Sequence, residues 1–383
     1  RVTVAAPDNF ESWVRGHGVD FVPLGIDMES FIRSAEIQEV LNGNWLTLRK
    51  IWRTKIVPVV EHALDAAWTA AHSAEVLVHH PKVLGAPDIA EATGAKLFVA
   101  TPIPMHPTGE FPLIVSGGHY GPTLNRLSWS VFNASRLPYR RVINSWRRDT
   151  LGLGPGRAWA PVGYTPSGVA EQLCAVSSAV LPRPADWPPH VHLTGYWFLD
   201  EGHGWEPDES LTDFLSAGDP PIYIGFGSMP LKDPEATTRI LFRAIEQAGV
   251  RAVIGRGWGG ADYRSDNPAI HMVSDVPHDA LFSRVRGVVH HGGAGTTAAG
   301  LRAGRPTLVC PHAIDQPFWG SLVHSRGLGP KPLPFKKLTA PRLASRLNDL
   351  VSGSYDDAAH SIGEKIRREN GVSVAVNRIE SAG

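Results

Sequence analysis

Short apolar, β-branched runs alternate with longer stretches of helical periodicity along most of the chain. In the C-terminal half, residues 222–225 (IYIG), 251–254 (RAVI) and 287–290 (GVVH) are short, continuously apolar runs. Such runs suit strands buried on both faces of a parallel sheet. The periodicity predicts a helix over 234–247, a short one near 279–284 and two closing helices over 339–352 and 356–370. In the N-terminal half, strands are predicted at 2–6, 20–23, 76–79, 97–100, 173–176 and 191–194. Helices fall between them at 10–15, 44–72 with an interruption near Pro58, 87–93 with Gly94 at its end, and 124–148. Strand–helix alternation of this kind predicts the α/β class, an open parallel sheet with helices on both faces.

The apolar periodicity stops at 199–208 (LDEGHGWEPD), where glycine, proline and acids replace it. That break divides the chain into residues 1–203 and 204–383, and 383 residues exceed one ordinary core. Lys+Arg and Asp+Glu balance at 37 each, which leaves no overall basic field to recruit nucleic acid. Cys174 and Cys310 lie in opposite halves without metal-ligand spacing and fit a reducing compartment. No apolar run approaches the ~18 residues that cross a bilayer, and RVTVAAPDN lacks the pattern of a signal peptide. A soluble, cytoplasmic protein is the expectation, as a monomer or weak dimer.

Three segments admit two readings each. Trp45, Leu48, Trp52 and Ile56 share one helix face, with Arg49, Lys50, Arg53 and Lys55 around it. That helix either covers the core with a solvated basic side or makes transient contact with a membrane surface. The loop 101–123 carries Ile103, Met105, Phe111, Leu113, Ile114 and Tyr120, which either line a ligand or pack on the domain. The arginine pairs 140–141 and 147–148 read as solvated surface.

The richest chemistry lies in 288–316, VVHHGGAGTTAAGLRAGRPTLVCPHAIDQ. Strand, glycine turn and helix follow one another, the helix being opened by Thr296 and Thr297 and ending near Gly304. Gly292, Gly293 and Gly295 permit a tight turn, and a helix starting there aims N–H donors and a positive dipole end at an anion. A P-loop would need Lys where Thr296 stands. Gly293–Ala298 with Asp315 fits the loose dinucleotide fingerprint of an NAD-dependent oxidoreductase. An earlier βα unit with its own glycine turn at 222–247 counts against it, since the fingerprint normally sits in the first such unit. A third reading uses what the fingerprint ignores: His291 as a donor, and possible cation, beside a diphosphate, with the Asp315-Gln316 pair clamping sugar hydroxyls.

HHGGAGTT followed by PHAIDQPFWG resembles the nucleotide-sugar signature of the GT-B glycosyltransferases of family 1 type, in the branch with antibiotic and sterol glycosyltransferases. GFGSM at 225–229, DVPH at 275–278 and HLTGY at 192–196 extend the resemblance over the second half. It implies two Rossmann-like domains facing across a cleft, the first binding the acceptor, the second the nucleotide sugar. The last helix then packs back on the first domain. It also implies a strand, glycine-containing loop and helix ahead of Arg1, with the general base upstream of Arg1.

The implied reaction is inverting transfer of a hexose, by default from UDP-glucose, to a hydroxyl of a lipophilic acceptor such as a sterol. His291 would stabilise the leaving diphosphate with the N–H groups of Gly293, Ala294, Gly295 and Thr296. Gly227 and Ser228 would approach the phosphates, Arg256 assist them, Trp258 stack on the base and Val276 contact it. Asp315 and Gln316 would hold the sugar. His79, at a strand end facing the crevice, is a further catalytic candidate. His80, His106, Phe111 and Tyr120 are candidate acceptor contacts. No Asp-x-Asp occurs, and the adjacent histidine pairs cannot easily chelate one ion, so neither metal nor cofactor is expected. The alternatives are an antibiotic glycosyltransferase using a dTDP-deoxysugar, a non-catalytic sugar-nucleotide-binding homologue and the oxidoreductase.

Overall fold

A computed structural model describes residues 1–27, 30, 51–116, 118–157, 160, 162–200, 202, 204–227, 233–256, 265–274 and 276–381. Its strands are β1 (Thr3–Ala6), β2 (Asp20–Pro23), β3 (Val76–His79), β4 (Lys96–Thr101), β5 (Tyr164–Thr165), β6 (Gly168–Val169), β7 (Glu171–Cys174) and β8 (Val191–Leu193) in the first half. The second half holds β9 (Ile222–Gly225), β10 (Ala252–Gly255), β11 (Ile270–Val273), β12 (Gly287–His290) and β13 (Thr307–Val309).

The second half forms one five-stranded parallel sheet in the order β11-β10-β9-β12-β13. Its chain order reverses between β9 and β12, the point where open α/β sheets leave a crevice at the strand C-termini. Side chains alternate across β9, so Ile222 and Ile224 face one core and Tyr223 the other. On the first face lie helices Pro234–Ala248 and Ala340–Val351, whose Leu241, Ile245, Leu343 and Leu347 are buried against Val289 and Leu308. Leu211, Leu281 and Phe282 cover the other. Each such side chain contributes roughly 1.5–3 kcal/mol when fully buried. Asp208, Asp233 and Asn370 each cap a helix by accepting a backbone N–H. The edge strand β11 is absent from the sequence expectation. Its short IHMV run is only half buried, so no continuous apolar signal marks it.

The first half holds a four-stranded parallel sheet, β3-β4-β7-β8, a separate parallel pair, β1-β2, and the small antiparallel hairpin β5-β6. Trp45, Leu48, Arg49 and Lys50 lie outside the described residues. The interruption of the predicted long helix is a π-helical turn at Trp52–Ile56, directly ahead of Val57–Ala71 with Pro58 in its first turn. The predicted helix 124–148 is broken into Pro122–Ser128, Ser130–Ala134, the 3-10 turn Leu137–Tyr139 and Arg140–Asp149. Pro138, which cannot donate a backbone bond, sits in the break. Arg147 is not solvated as expected: it is buried and paired with Asp88 and Glu91.

The halves share an apolar cluster. Cys174, Val176, Leu181 and Tyr196 meet Leu301, Val309, Trp319 and Ile366. The predicted helix 356–370 stops at Arg368, and a separate one runs Gly371–Glu380. Gly371 permits the crossing, since a Cβ there would lie 2.4 Å from the Tyr196 carbonyl oxygen. Beyond it, Ala375 packs on Phe98 and Leu173 of the first sheet.

Candidate functional site

The site grows out of the end of β12. His290 is fully buried, and its Nδ1 accepts from the Gly292 N–H at 2.8 Å. Gly292 has φ +97°, and a Cβ on it would lie 2.6 Å from Val309. The turn ends on Gly293 as N-cap of the helix Ala294–Arg302. The helix therefore opens two residues earlier than Thr296, which stands in its first turn, half buried. Thr297 is buried and donates its hydroxyl to the Gly293 carbonyl at 2.8 Å, so neither threonine caps the helix. Gly295 is exposed, and a Cβ there would meet nothing within 4 Å. Its lack of a side chain is not needed by the protein's own packing and leaves the helix N-terminus open to a ligand.

His291 stands between two glycines from distant parts of the chain. A Cβ on Gly227, whose φ is +65°, would lie 2.9 Å from the imidazole Cε1, and one on Gly293 would lie 2.6 Å from Nε2. β9 and β12 are adjacent, so both loops emerge at the sheet's reversal point. The ring's Nδ1 is buried and without a partner among the described residues. Burial pushes the His291 pKa below its ordinary value, against the opposing pull of the Asp315 carboxylate. The ring is therefore a neutral donor or acceptor near pH 7 before an anion binds, rather than a resident charge.

Three residues to which the sequence reading gave no role stand around it. His278 and His312 both sense His291, and burial lowers each. His278 stacks on Phe282 at 4.6 Å, and its Nε2 lies 3.3 Å from the Tyr223 hydroxyl. His312 stacks on Phe335 at 3.7 Å and keeps a buried, unpartnered Nε2. Tyr223, pushed up to about 12 by burial, places its hydroxyl where a Cβ on Gly225 or Gly255 would intrude to 2.4 or 2.5 Å. The signal available for the histidines was their shared Pro-His step after a strand, in VPH and CPH.

Asp315 follows Ile314, which alone among the described non-glycine residues has positive φ, +59°. A β-branched residue there costs about 1–2 kcal/mol, so the loop must be held by its surroundings. Gln316 holds it: its buried Oε1 accepts from the N–H groups of His312 at 2.7 Å and Ala313 at 3.2 Å. Asp315 Oδ2 accepts from the Trp319 indole at 2.8 Å, which leaves Oδ1 without a partner among the described residues. Arg256 is exposed directly after β10, and Val276 is half buried against the cluster of Leu281 and Phe282. Ser228 and Trp258 lie outside the described residues.

The first-half candidates do not gather at one point. His79 is buried at the end of β3; its Nδ1–H donates to the His80 carbonyl at 3.0 Å, and its Nε2 has no partner. Burial lowers its pKa to about 4, a weak base for chemistry near neutrality. His80 is half buried and accepts from the Lys82 N–H at 3.2 Å. His106 donates to Gln172 at 3.2 Å and lines a cavity of about 260 Å³ with Met105, Trp129 and Phe132. Phe111 bridges the halves, 5.2 Å from Phe318, while Tyr120 is exposed and donates to the Ser116 carbonyl at 3.1 Å. Of the loop's apolar residues, Leu113 and Ile114 are buried, and Ile103 and Phe111 pack beside them half buried, so these four pack on the protein.

Residues 260–374 match the family described as erythromycin biosynthesis protein CIII-like, C-terminal domain. A sterol 3-beta-glucosyltransferase of Arabidopsis thaliana is 33% identical over 384 residues, covering 98% of this chain and 60% of that protein. Another, of Emericella nidulans, is 33% identical over 395 residues, covering 98% of this chain and 27% of its own length. The chain thus spans less than two thirds of either relative. Among solved structures, the glycotransferase of kitacinnamycin superposes with a TM-score of 0.72 at 17% identity, covering 100% of this chain and 91% of the other. The superposition shows the GT-B fold, and the matched domain and near-complete alignments make the chain similar to glycosyltransferases of the family-1 type.

Proposed function

We propose that the chain transfers a hexose, by default from UDP-glucose, to the hydroxyl of a lipophilic acceptor of the sterol class, with inversion and without a metal. The observation that carries this is His291, set between Gly227 and Gly293 beside an open helix N-terminus. Those groups face the place where charge grows as the anomeric carbon–oxygen bond breaks. The acceptor oxygen attacks that carbon from the opposite side, and its proton passes to a base. The nucleoside diphosphate leaves with the bonding pair, held by the helix N–H groups and the neutral imidazole as donors. The open Oδ1 of Asp315 is available to a sugar hydroxyl, and Gln316 keeps its loop in shape. Sterol as the acceptor class follows the names of the relatives aligned along nearly the whole chain.

The match to the erythromycin-type domain favours a second reading, a dTDP-deoxysugar donor and an antibiotic acceptor. Calorimetric titration with UDP, dTDP and NADH, without added metal, separates these. Micromolar-range binding of UDP over dTDP is expected. The reverse order would move the proposal to the second donor. Binding of NADH alone would overturn both, and UDP binding without transfer to any sterol would leave a sugar-nucleotide-binding homologue. Among the described residues no helix is long and apolar enough to cross a membrane. The free thiols of Cys174 and Cys310 suit a reducing compartment, and on that ground we place the protein in the cytoplasm.

A further inference from the structure

The helical run from Pro122 to Ala134 has two unlike faces. Asn125 and Trp129 are buried; Asn125 donates to the Gly109 carbonyl at 2.8 Å, and Trp129 to the Phe111 carbonyl at 3.3 Å. The other face carries Leu124, Leu127 and Val131, spaced three and four residues apart and 56%, 61% and 64% exposed. Exposed single apolar residues are ordinary, but a helical stripe of three is a patch that calls for an occupant.

The charge around the stripe says which occupant. Residues 111–148 contain six arginines and no lysine, aspartate or glutamate, in a chain whose net charge is zero. Arg126 is paired with Asp186, Arg147 with Asp88 and Glu91, and Arg148 with Asp149. Arg136, Arg140 and Arg141 have no ion pair among the described residues. Arg136 is half buried, and the carboxylate acting on it, Asp88, is already bonded to Arg147. It lines a cavity of about 240 Å³ with Arg140 and Arg157, and the carboxylates on that wall, Asp88 and Glu91, are already bonded to Arg147. An apolar stripe followed along the chain by Arg136, Arg140 and Arg141, none of them in an ion pair among the described residues, matches an anionic bilayer, whose acyl region takes the apolar side chains while its phosphates take the arginines.

We propose that the segment from Leu124 to Arg141 is a docking surface for an anionic membrane, with Leu124, Leu127 and Val131 inserted and Arg136, Arg140 and Arg141 on lipid phosphates. This segment is a different one from the 44–72 helix in which the sequence suggested membrane contact, although Trp52 of that stretch packs on Tyr139 at 4.8 Å. It is also independent of the sugar-transfer proposal, because docking is measured without donor or acceptor.

The test is flotation of the 383-residue chain with vesicles of phosphatidylcholine alone and of phosphatidylcholine mixed with phosphatidylglycerol. Three surface cations predict partitioning on the order of a hundredfold stronger to the anionic vesicles, falling as salt rises. The double variant Arg140→Glu, Arg141→Glu should fall to the neutral-vesicle level. The variant Leu127→Gln, Val131→Gln should lose roughly tenfold, with circular dichroism and the urea midpoint unchanged. Equal partitioning of the unaltered chain to both vesicles would overturn the proposal, whatever the variants do. So would a concentration-dependent dimer that the stripe variant dissolves while vesicle binding persists, since the stripe would then belong to a second copy of the chain.

Discussion

Two strands of this molecule end in the same way. β3 runs into His79-His80 and β12 into His290-His291, each at the C-terminal end of a parallel strand and each followed by a helix. In both pairs the first histidine is buried and the second half buried. Their surroundings differ. After His80 the chain turns so that the Lys82 N–H donates to His80 Nδ1, and that nitrogen is occupied locally. After His291 come glycines, an open helix N-terminus and a neighbouring glycine from β9's loop, and the imidazole is left with an unpartnered nitrogen. The buried members differ too. His290 accepts a backbone N–H at Nδ1, so its proton sits on Nε2, whereas His79 donates from Nδ1 and keeps a bare lone pair on Nε2. A histidine pair at a strand end is therefore not itself a site; the space and donors around it decide.

The comparison is broken most directly at the second histidines. His291→Ala should lower kcat/KM for UDP-glucose and a sterol by about thirtyfold or more, about 2–4 kcal/mol of transition-state stabilisation. His80→Ala should change it less than about twofold, within the scatter of ordinary surface substitutions. Equal losses in the two variants would return both pairs to the same role.

Next in size is the effect of pH on the buried members. His79 has a folded pKa of about 4 against an ordinary 6.5. The folded protein thus favours the neutral ring, and the unfolded chain binds the extra proton first. Its contribution is whole above pH 6.5 and is lost as pH falls from there toward about 4, at most about 3 kcal/mol. Urea unfolding across that window should show a shallower fall for His79→Gln than for the unaltered chain. Parallel curves would mean that His79 does not titrate with folding.

The smallest effect sharpens the neighbourhood of His291. Gly227→Ala places a Cβ at positive φ and within 2.9 Å of the ring, so the imidazole must shift. A five- to thirtyfold weaker UDP affinity is expected, from a strain of about 1–2 kcal/mol. Gly295→Ala meets no atom of the described residues within 4 Å, so a loss of UDP affinity there is expected to come from the ligand.

Much of this was legible beforehand. The strands β9, β10 and β12 and the glycine turn after β12 were marked by short apolar runs and glycine spacing, both local properties. The start of the helix after that turn was misplaced by two residues, because threonine is a common cap and Gly293 takes the position instead. Arg147 was assigned to the surface because its partners, Asp88 and Glu91, are 59 and 56 residues away. β11 went unread because an edge strand needs only one buried flank.

The sequence alone determined the alternation of strands and helices, the reversal-point turn with its glycines, and the family signature, since each depends on neighbours within a few residues. Only the tertiary structure decided which imidazoles would keep an unpartnered nitrogen, which threonine would be buried, and which leucines would lie on an uncovered face. Those outcomes depend on contacts between residues far apart in the chain: Gly227 with His291, Gln316 with the loop before it, Phe111 with Phe318. Periodicity records which faces seek burial, and packing settles which of them find a partner.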